Sequence, residues 1–267
     1  MAIKLASGDI SAFYVGSQVV SAVYLGSSAI YSAAFDPSTI TGLQAWWDAS
    51  DASTITESSG SVSQVDDKSG NSNHLTQSTG SSQPSLVSAA QNGLSVLRFD
   101  GFNDYLSHNV IASDPTELTL ICVVKSINGD AGNIWAHRDQ ASEVLQLNYS
   151  GNPDQLRFTM RPNASFQQHI YVNAQLNTFA TFGFVFNKTS SRYFVFTNKT
   201  KGSVATNDFS NETFTSTLNT LGASYYNGSY SGNFQGDICE VVIYNTALSD
   251  TDREAVEDYL IAKWGIT

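Results

Sequence analysis

Two short stretches of the sequence concentrate acidic and amide side chains, the residue types that bind hard metal ions. Asp66 and Asp67 lie in a Ser/Gly/Asn-rich stretch, and Asp100, Asn103 and Asp104 follow an apolar run. Oxygen ligands clustered in a loop are what Ca²⁺ requires. Asp-Gly and Asn-Asp pairs are also ordinary turn formers. Turn formation is therefore the simpler interpretation, and a Ca²⁺ site is the alternative.

The sequence lacks the common motifs of catalysis, including GxSxG, HExxH, CxxC and the phosphate-binding loops. Glycosidases need two carboxylates flanking the scissile bond, but Glu143 and Glu240 are isolated at the edges of predicted strands. The four histidines are scattered and predicted to lie in loops or on the surface; they are His74, His108, His137 and His169. We therefore expect a protein that is not an enzyme and has no cofactor apart from the Ca²⁺ alternative.

Aromatic side chains in turn-rich segments are candidates for sugar contacts, because they offer an apolar face together with a polar edge. The four candidates are Trp135, Tyr225, Tyr226 and Tyr230. Aromatic residues in such positions more often fill a core or a sheet edge, and that alternative is favoured here.

Charge disfavours two classes of partner. The 267 residues carry 24 Asp and Glu against 13 Lys and Arg, a net charge of −11. Nucleic acids and anionic membranes both attract basic surfaces, so we expect no nucleic-acid binding. No apolar run has the length of a membrane span or of a signal peptide, so we also expect no membrane insertion and no classical secretion. Cys122 and Cys239 are predicted to be free, buried thiols.

The body of the chain reads as β-strands. Leu118–Lys125 is almost continuously apolar, and Leu156, Phe158 and Met160 alternate with polar residues. Close turn signals without intervening helices predict an all-β sandwich or barrel. Five phenylalanines form apolar stripes predicted to line an inner sheet face: Phe182, Phe184, Phe186, Phe194 and Phe196. By contrast, the Ser/Gly/Asn-rich stretch 57–83 is predicted to be a solvated loop.

The last segment predicts the one helix. Ser249 and Asp252 have capping-box spacing, and Gly265 is a suitable left-handed stop. Val256, Tyr259, Leu260 and Trp264 fall on one helical face. We expect the Tyr259/Trp264 stripe to pack on the edge of the sandwich.

The chain opens with a ten-residue repeat. Ile10–Ser17 is echoed by Val20–Ser27, and a truncated copy begins at Ile30. Hairpins this small are marginal alone in water, so we predict that residues 1–35 form a β-element that anchors the protein on a partner or in an oligomer. The predicted anchoring residues are Ile10, Phe13, Tyr14, Val15, Val20, Val23, Tyr24, Leu25, Ile30 and Tyr31. The alternative is that the repeat adds strands to the sandwich edge.

Three segments together resemble the laminin-G-like, concanavalin-A-like jelly-roll domains common in bacteriophage virion proteins and bacterial surface proteins. They are Leu43–Thr56 with Val65–Gln77, then Leu94–Ser107, and then Gly236–Ile266. The resemblance covers residues 37–267, and the final strand and helix are its most specific part. It implies a two-sheet antiparallel jelly roll used for display and often for glycan binding. The opening repeat is similar to short N-terminal repeats of phage structural proteins.

The resemblance and the repeat together predict a phage virion structural protein on the particle surface, either a capsid decoration protein or a short spike or fibre. The expected partners are other virion proteins, further copies of the chain in a homo-oligomer (a trimer being favoured) and host-surface glycans. A tail-fibre receptor-binding protein and a bacterial carbohydrate-binding module are the alternatives.

Overall fold

The structure is a computed structural model that describes most of the chain. The described residues are 13–15, 18–20, 22–25, 28–32, 35–109, 114–127, 132–138, 144–149, 155–163, 166–214, 216 and 218–267. For residues 13–32 and for 109, 144, 163, 166 and 167 only the backbone is described.

The chain divides into two compact units, residues 1–36 and residues 37–267. In the first unit, the described backbone forms two separate two-stranded antiparallel sheets, β1 with β2 and β3 with β4. These strands are β1 (Phe13–Val15), β2 (Gln18–Val20), β3 (Ala22–Leu25) and β4 (Ser28–Ser32).

The second unit is built from antiparallel strands and one α-helix. The elements are β5 (Leu43–Asp48), β6 (Ile55–Ser58), β7 (Ser61–Val65), β8 (Leu75–Thr76), β9 (Ser85–Gln91), β10 (Leu94–Asp100), β11 (Leu106–Asn109), β12 (Glu117–Ser126), β13 (Asn133–His137), β14 (Val144–Tyr149), β15 (Gln155–Asn163), β16 (Phe166–Asn173), β17 (Ala180–Asn187), β18 (Arg192–Thr197), β19 (Thr200–Lys201), β20 (Leu218–Leu221), β21 (Ser224–Tyr226), β22 (Ser229–Ser231), β23 (Gln235–Tyr244) and α1 (Asp250–Trp264). Three short 3₁₀ turns cover Pro37–Thr39, Ala52–Thr54 and Gly80–Ser82.

Two sheets face each other in a sandwich, as predicted. In the first sheet, β23 pairs along one edge with β10 and β5 and along the other with β12, which continues to β17, β18 and β19. The second sheet runs β6-β7-β8-β11-β20-β13-β14-β15-β16. The sheets join where β7 meets β9. The all-β jelly-roll fold class is therefore confirmed.

The core lies between the sheets. Leu120, Cys122 and Val124 of β12 face Phe158 of β15, whose ring stacks on Phe184 at 3.9 Å between centroids. The two cysteines, Cys122 and Cys239, are free and buried, as predicted.

Two sequence predictions about the sheets are wrong. Phe194 and Phe196 lie on the outer face of the first sheet, because Tyr193 and Val195 take the core-facing positions of β18. The stretch 57–83 contributes strands β6 to β8 rather than forming only a solvated loop. Its polar composition fits because much of it faces outward, while Val62, Val65 and Leu75 lie in the core.

Helix α1 has the predicted boundaries. The Ser249 side chain accepts a hydrogen bond from the Asp252 N–H, and Gly265 ends the helix with φ 59°. The prediction that it packs on a sheet edge is wrong, because α1 packs across β12 and β17 on the outer face of the first sheet. Within the described residues, no helix is both long and apolar enough to cross a bilayer.

One histidine prediction also fails. His137 lies in β13 and is 2% exposed, not on the surface. Its Nε2 is 3.0 Å from the Phe214 carbonyl oxygen, and its Nδ1 is 3.3 Å from Asn219 Oδ1. It is a hydrogen-bonded core residue.

Candidate functional site

The outer face of the second sheet is polar across eight strands. Leu106, Leu147 and Phe158 point into the core, so alternate residues of the same strands point outward. Their cross-strand register produces one row, which is Gln64, Thr76, Ser107, Thr220, Ala136, Gln146, Thr159 and His169. We call this surface the polar face. Ala136, Thr159 and Thr220 are at most 1% exposed. The residues of the row that a hydroxylated ligand can reach carry hydroxyl, amide and imidazole groups, and they are Gln64, Thr76, Ser107, Gln146 and His169.

A groove lies at one end of the polar face. Its volume is 420 Å³, within the size range of small-molecule sites. The lining side chains all lack a formal charge, and they are Ser63, Gln64, Thr76, Gln77, Ser78, Tyr105, Ser107 and Tyr230. The groove therefore combines hydroxyl and amide groups with two tyrosine rings.

The β21–β22 hairpin supplies the aromatic wall of this groove. Tyr230 stacks on Tyr105 with ring centroids 3.5 Å apart, and Tyr225 lies 4.9 Å from Tyr230. Tyr226 is 38% exposed, and the Arg138 guanidinium lies 4.5 Å from its ring centroid. Three of the four aromatic candidates therefore lie together on this hairpin.

The Tyr230 hydroxyl remains a hydrogen-bond donor at neutral pH. Burial raises the pKa of Tyr230 to about 12, and the neighbouring Tyr105 contributes to the increase. The hydroxyl also forms hydrogen bonds with the side chains of Tyr105 and Ser107, which hold it in the groove wall.

The prediction of Trp135 as a sugar-contacting residue on the surface is wrong. It lies in β13 with 2% exposure and packs 5.8 Å from Phe184 in the core. The turn-rich sequence around it suggested a loop, but the strand pairs β13 with both β14 and β20 and directs Trp135 inward.

The first acidic pair, Asp66 and Asp67, supports the loop that follows β7. Asp66 Oδ1 is 3.0 Å from His74 Nδ1. Asp67 Oδ1 accepts from the Trp46 N–H at 2.9 Å and from the Ser69 N–H at 2.8 Å. These contacts are those of a structured turn.

Asp100, Asn103 and Asp104 lie together in the β10–β11 loop. Asp100 Oδ1 accepts from the Phe102 N–H at 2.7 Å, and Asp104 Oδ2 accepts from the Asp100 N–H at 2.9 Å. The described residues hold no group of three or more His, Cys, Asp or Glu arranged to bind a metal. The Ca²⁺ alternative stays a prediction.

The structure tests the predicted strand-edge position for only one of the two acids, Glu143 and Glu240. Glu143 lies outside the described residues. Glu240 is not at a strand edge: it is 1% exposed in β23, which pairs on both sides, and it contacts α1. None of the described residues that line the groove is a carboxylate.

The predicted anchoring residues are described only in part. Ile10 lies outside the described residues. The other nine lie in β1 to β4, where only the backbone is described. Their role stays a prediction.

Sequence reasoning missed the groove residues Gln77, Tyr105 and Ser107. Tyr105 follows a turn and so resembles any loop tyrosine, while Gln77 and Ser107 are single polar residues in polar surroundings. Only the pairing of β8 with β11 brings them together. The outward alternation of β7, β8 and β11 is the signal that could have indicated them.

Comparison with known proteins places the sandwich in a wider group. A family model described as the concanavalin A-like lectin/glucanases superfamily matches residues 99–252, more than half of the chain. A search of curated protein sequences found no match.

Several solved structures share the fold at low sequence identity. The binding domain of Paraclostridial Mosquitocidal Protein 1 has a TM-score of 0.64 and 12% identity, covering 86% of this chain and 56% of that chain. Domain 4 of AbnA, an extracellular arabinanase from Geobacillus stearothermophilus, was solved in complex with arabinotriose. It has a TM-score of 0.60 and 12% identity, and the match covers 82% of this chain and 98% of that domain.

A structure from the study of ganglioside-dependent cell entry by botulinum neurotoxin type C has a TM-score of 0.60 and 12% identity, covering 82% of this chain and 51% of that chain. This chain therefore spans about half the length of the two toxin chains. At such identities the likeness shows a shared fold.

Proposed function

The chain belongs to the concanavalin A-like lectin/glucanases superfamily, and we propose that residues 37–267 bind glycans at the polar face without cleaving them. The observation that carries this proposal is the groove beside Tyr105 and Tyr230, whose described lining residues carry hydroxyl, amide and phenol groups without a formal charge. Sugars present apolar C–H faces and many hydroxyls. Such ligands suit a site that combines aromatic rings with a few polar side chains.

Two similar folds make the proposal chemically reasonable. The arabinanase domain was solved in complex with arabinotriose, and the type C neurotoxin depends on gangliosides to enter cells. Because a fold does not by itself specify a function, the argument depends on the groove and not on these ligands.

The absence of cleavage is part of the proposal. Glycoside hydrolysis needs two carboxylates that flank the scissile bond. The lining residues that the structure describes include none, and Glu240 is buried beneath α1, where a sugar has no access.

A glycan array with the full chain tests this function. We expect specific binding, and we expect Tyr230→Ala to weaken it about tenfold because the ring that stacks on Tyr105 is lost. Phe102→Ala is the matched control, since Phe102 is an 84% exposed aromatic side chain outside the groove lining. Absence of glycan binding, or equal loss in both variants, would reject the groove as the site.

We further propose that the protein is displayed on the surface of a phage particle, as a capsid decoration protein or a short spike or fibre. Residues 1–35 would attach it to other virion proteins and to further copies of the chain. The support is the apolar repeat, whose small hairpins need a neighbour to cover them.

Particle incorporation separates display from the alternatives. A chain lacking residues 1–35 should be absent from purified particles, whereas a bacterial carbohydrate-binding module would not enter particles at all. Immunogold labelling of the capsid, rather than the tail tip, would distinguish decoration from a tail-fibre receptor-binding role.

A further inference from the structure

Half of the arginines of this acidic chain lie on the polar face. The sequence has six arginines and a net charge of −11. Arg157 and Arg161 flank Thr159 on the outward side of β15, opposite Phe158 in the core. Arg138 lies two residues beyond the outward-facing Ala136. We call Arg138, Arg157 and Arg161 the arginine patch.

The three side chains are half-buried. Burial and the charge of Arg161 together lower the pKa of Arg138. Burial and the charge of Arg157 lower the pKa of His169 in the same way. Holding like charges together costs free energy, which an anionic ligand would recover.

Two members of the arginine patch contact neighbouring side chains. Arg157 Nε donates to the Asn148 side-chain oxygen at 3.3 Å, and Arg138 lies over the Tyr226 ring.

The polar face also holds an unused acceptor beside the patch. Gln146 lies next to Thr159 in the cross-strand row, and its buried Oε1 has no hydrogen-bond partner among the described residues. A ligand hydroxyl could donate to this oxygen. Guanidinium groups, for their part, match the geometry of carboxylate and sulfate oxygens.

We propose that the arginine patch binds the anionic group, a carboxylate or a sulfate ester, of an acidic oligosaccharide whose neutral sugars occupy the groove. This inference rests on the proposed glycan binding. Arg138 contacts Tyr226 of the same hairpin that carries Tyr230, so the hairpin joins the two regions. Groove and patch are three to four strands apart, roughly 15–20 Å, which calls for an oligosaccharide and not a single sugar.

The test compares three forms of one glycan with the full chain. The probes are an N-acetyllactosamine hexasaccharide that is unmodified, terminally sialylated or sulfated, titrated calorimetrically at low and at physiological salt. We expect at least one acidic form to bind roughly tenfold more tightly than the neutral form at low salt, with a difference that shrinks as salt increases. The preferred form identifies carboxylate or sulfate as the ligand group.

Variants test whether the arginine patch causes the tighter binding of the acidic glycan. Combined Arg157→Gln and Arg161→Gln should reduce acidic binding to the neutral level while leaving neutral binding unchanged. Arg192→Gln, a 37% exposed arginine on the other sheet, should leave the preference intact. Arg157→Lys with Arg161→Lys should restore salt-dependent binding, which a merely misfolded patch would not.

The outcomes separate this inference from the proposed function. Equal binding of all three forms, or an acidic preference that survives the double glutamine variant, would overturn the arginine patch while glycan binding stands. If none of the three forms binds, the inference is rejected, and the array alone decides whether the protein binds other glycans.

Discussion

Asp104 shows how a single residue can make a loop sensitive to pH. It is 6% exposed, and its Oδ2 accepts a hydrogen bond from the Asp100 N–H. Burial raises the pKa of Asp104 to about 6, and the charge of Asp100 adds to the effect. The folded state therefore favours the protonated carboxyl more strongly than the unfolded state does.

This environment predicts that stability falls as pH increases. Between about pH 4 and pH 6 the folded protein retains a proton on Asp104 that the unfolded chain releases, so ionisation favours unfolding. Asp104→Asn can keep the hydrogen bond and removes the charge. We expect it to match the wild type at pH 4 and to be more stable by about 1–3 kcal/mol at pH 7, measured by urea unfolding.

The control is Asp258→Asn, whose carboxylate is 62% exposed. It should not reproduce the pH-dependent gain. If the wild type and Asp104→Asn keep the same stability difference at pH 4 and pH 7, ionisation of Asp104 is not the cause.

At the scale of elements, α1 is held to the first sheet by a buried carboxylate. Glu240 Oε1 accepts from Trp46 Nε1 at 2.7 Å and from the Tyr259 hydroxyl at 2.9 Å. Glu240 Oε2 accepts from Lys263 Nζ at 2.7 Å and from Trp264 Nε1 at 2.8 Å. Four donors from two elements therefore depend on one side chain.

We expect Glu240→Gln to destabilise the protein by about 2–4 kcal/mol. The amide NH₂ would face two donors in a buried site, and the positive charge of Lys263 would lose one of its two carboxylate partners and keep only Asp48. Urea unfolding measures the loss. Glu254→Gln, at a 41% exposed position of α1, is the control and should cost little. A loss below about 0.5 kcal/mol would mean that apolar contacts alone hold the helix.

The helix and its partners illustrate what the sequence could predict. The limits of α1 follow from Ser249 and Gly265, which act within one turn of the chain. The alternation of apolar and polar residues in β15 and β17 could also be predicted, because it depends only on neighbouring positions in the sequence. The contact of Glu240 with Trp46 was not predictable, because these residues are 194 positions apart and meet only through strand register. The groove and the arginine patch depend on register in the same way.

At the scale of the molecule, the two sheets have different outer faces. The first sheet is covered by α1 over apolar residues such as Val123 and Val242, whereas the second presents hydroxyl, amide and arginine side chains. The overall charge of −11 repels anions at long range, so an anionic ligand needs the local arginine patch. The proposed ligand recognition therefore belongs to the second sheet.

The opening repeat predicts a difference in assembly between the full chain and a chain of residues 37–267. We expect the full chain to have the native mass of an oligomer, with a trimer favoured, because the apolar side chains of its small hairpins require a partner surface. The truncated chain should be monomeric, with unchanged thermal stability. Native mass spectrometry measures the mass of both chains.

A point variant should have the same effect as the truncation. We expect Leu25→Asp to give a monomer, whereas Ser17→Asp, at a polar position of the same repeat, should not. A monomeric full chain that also enters no particle would reject the anchoring role.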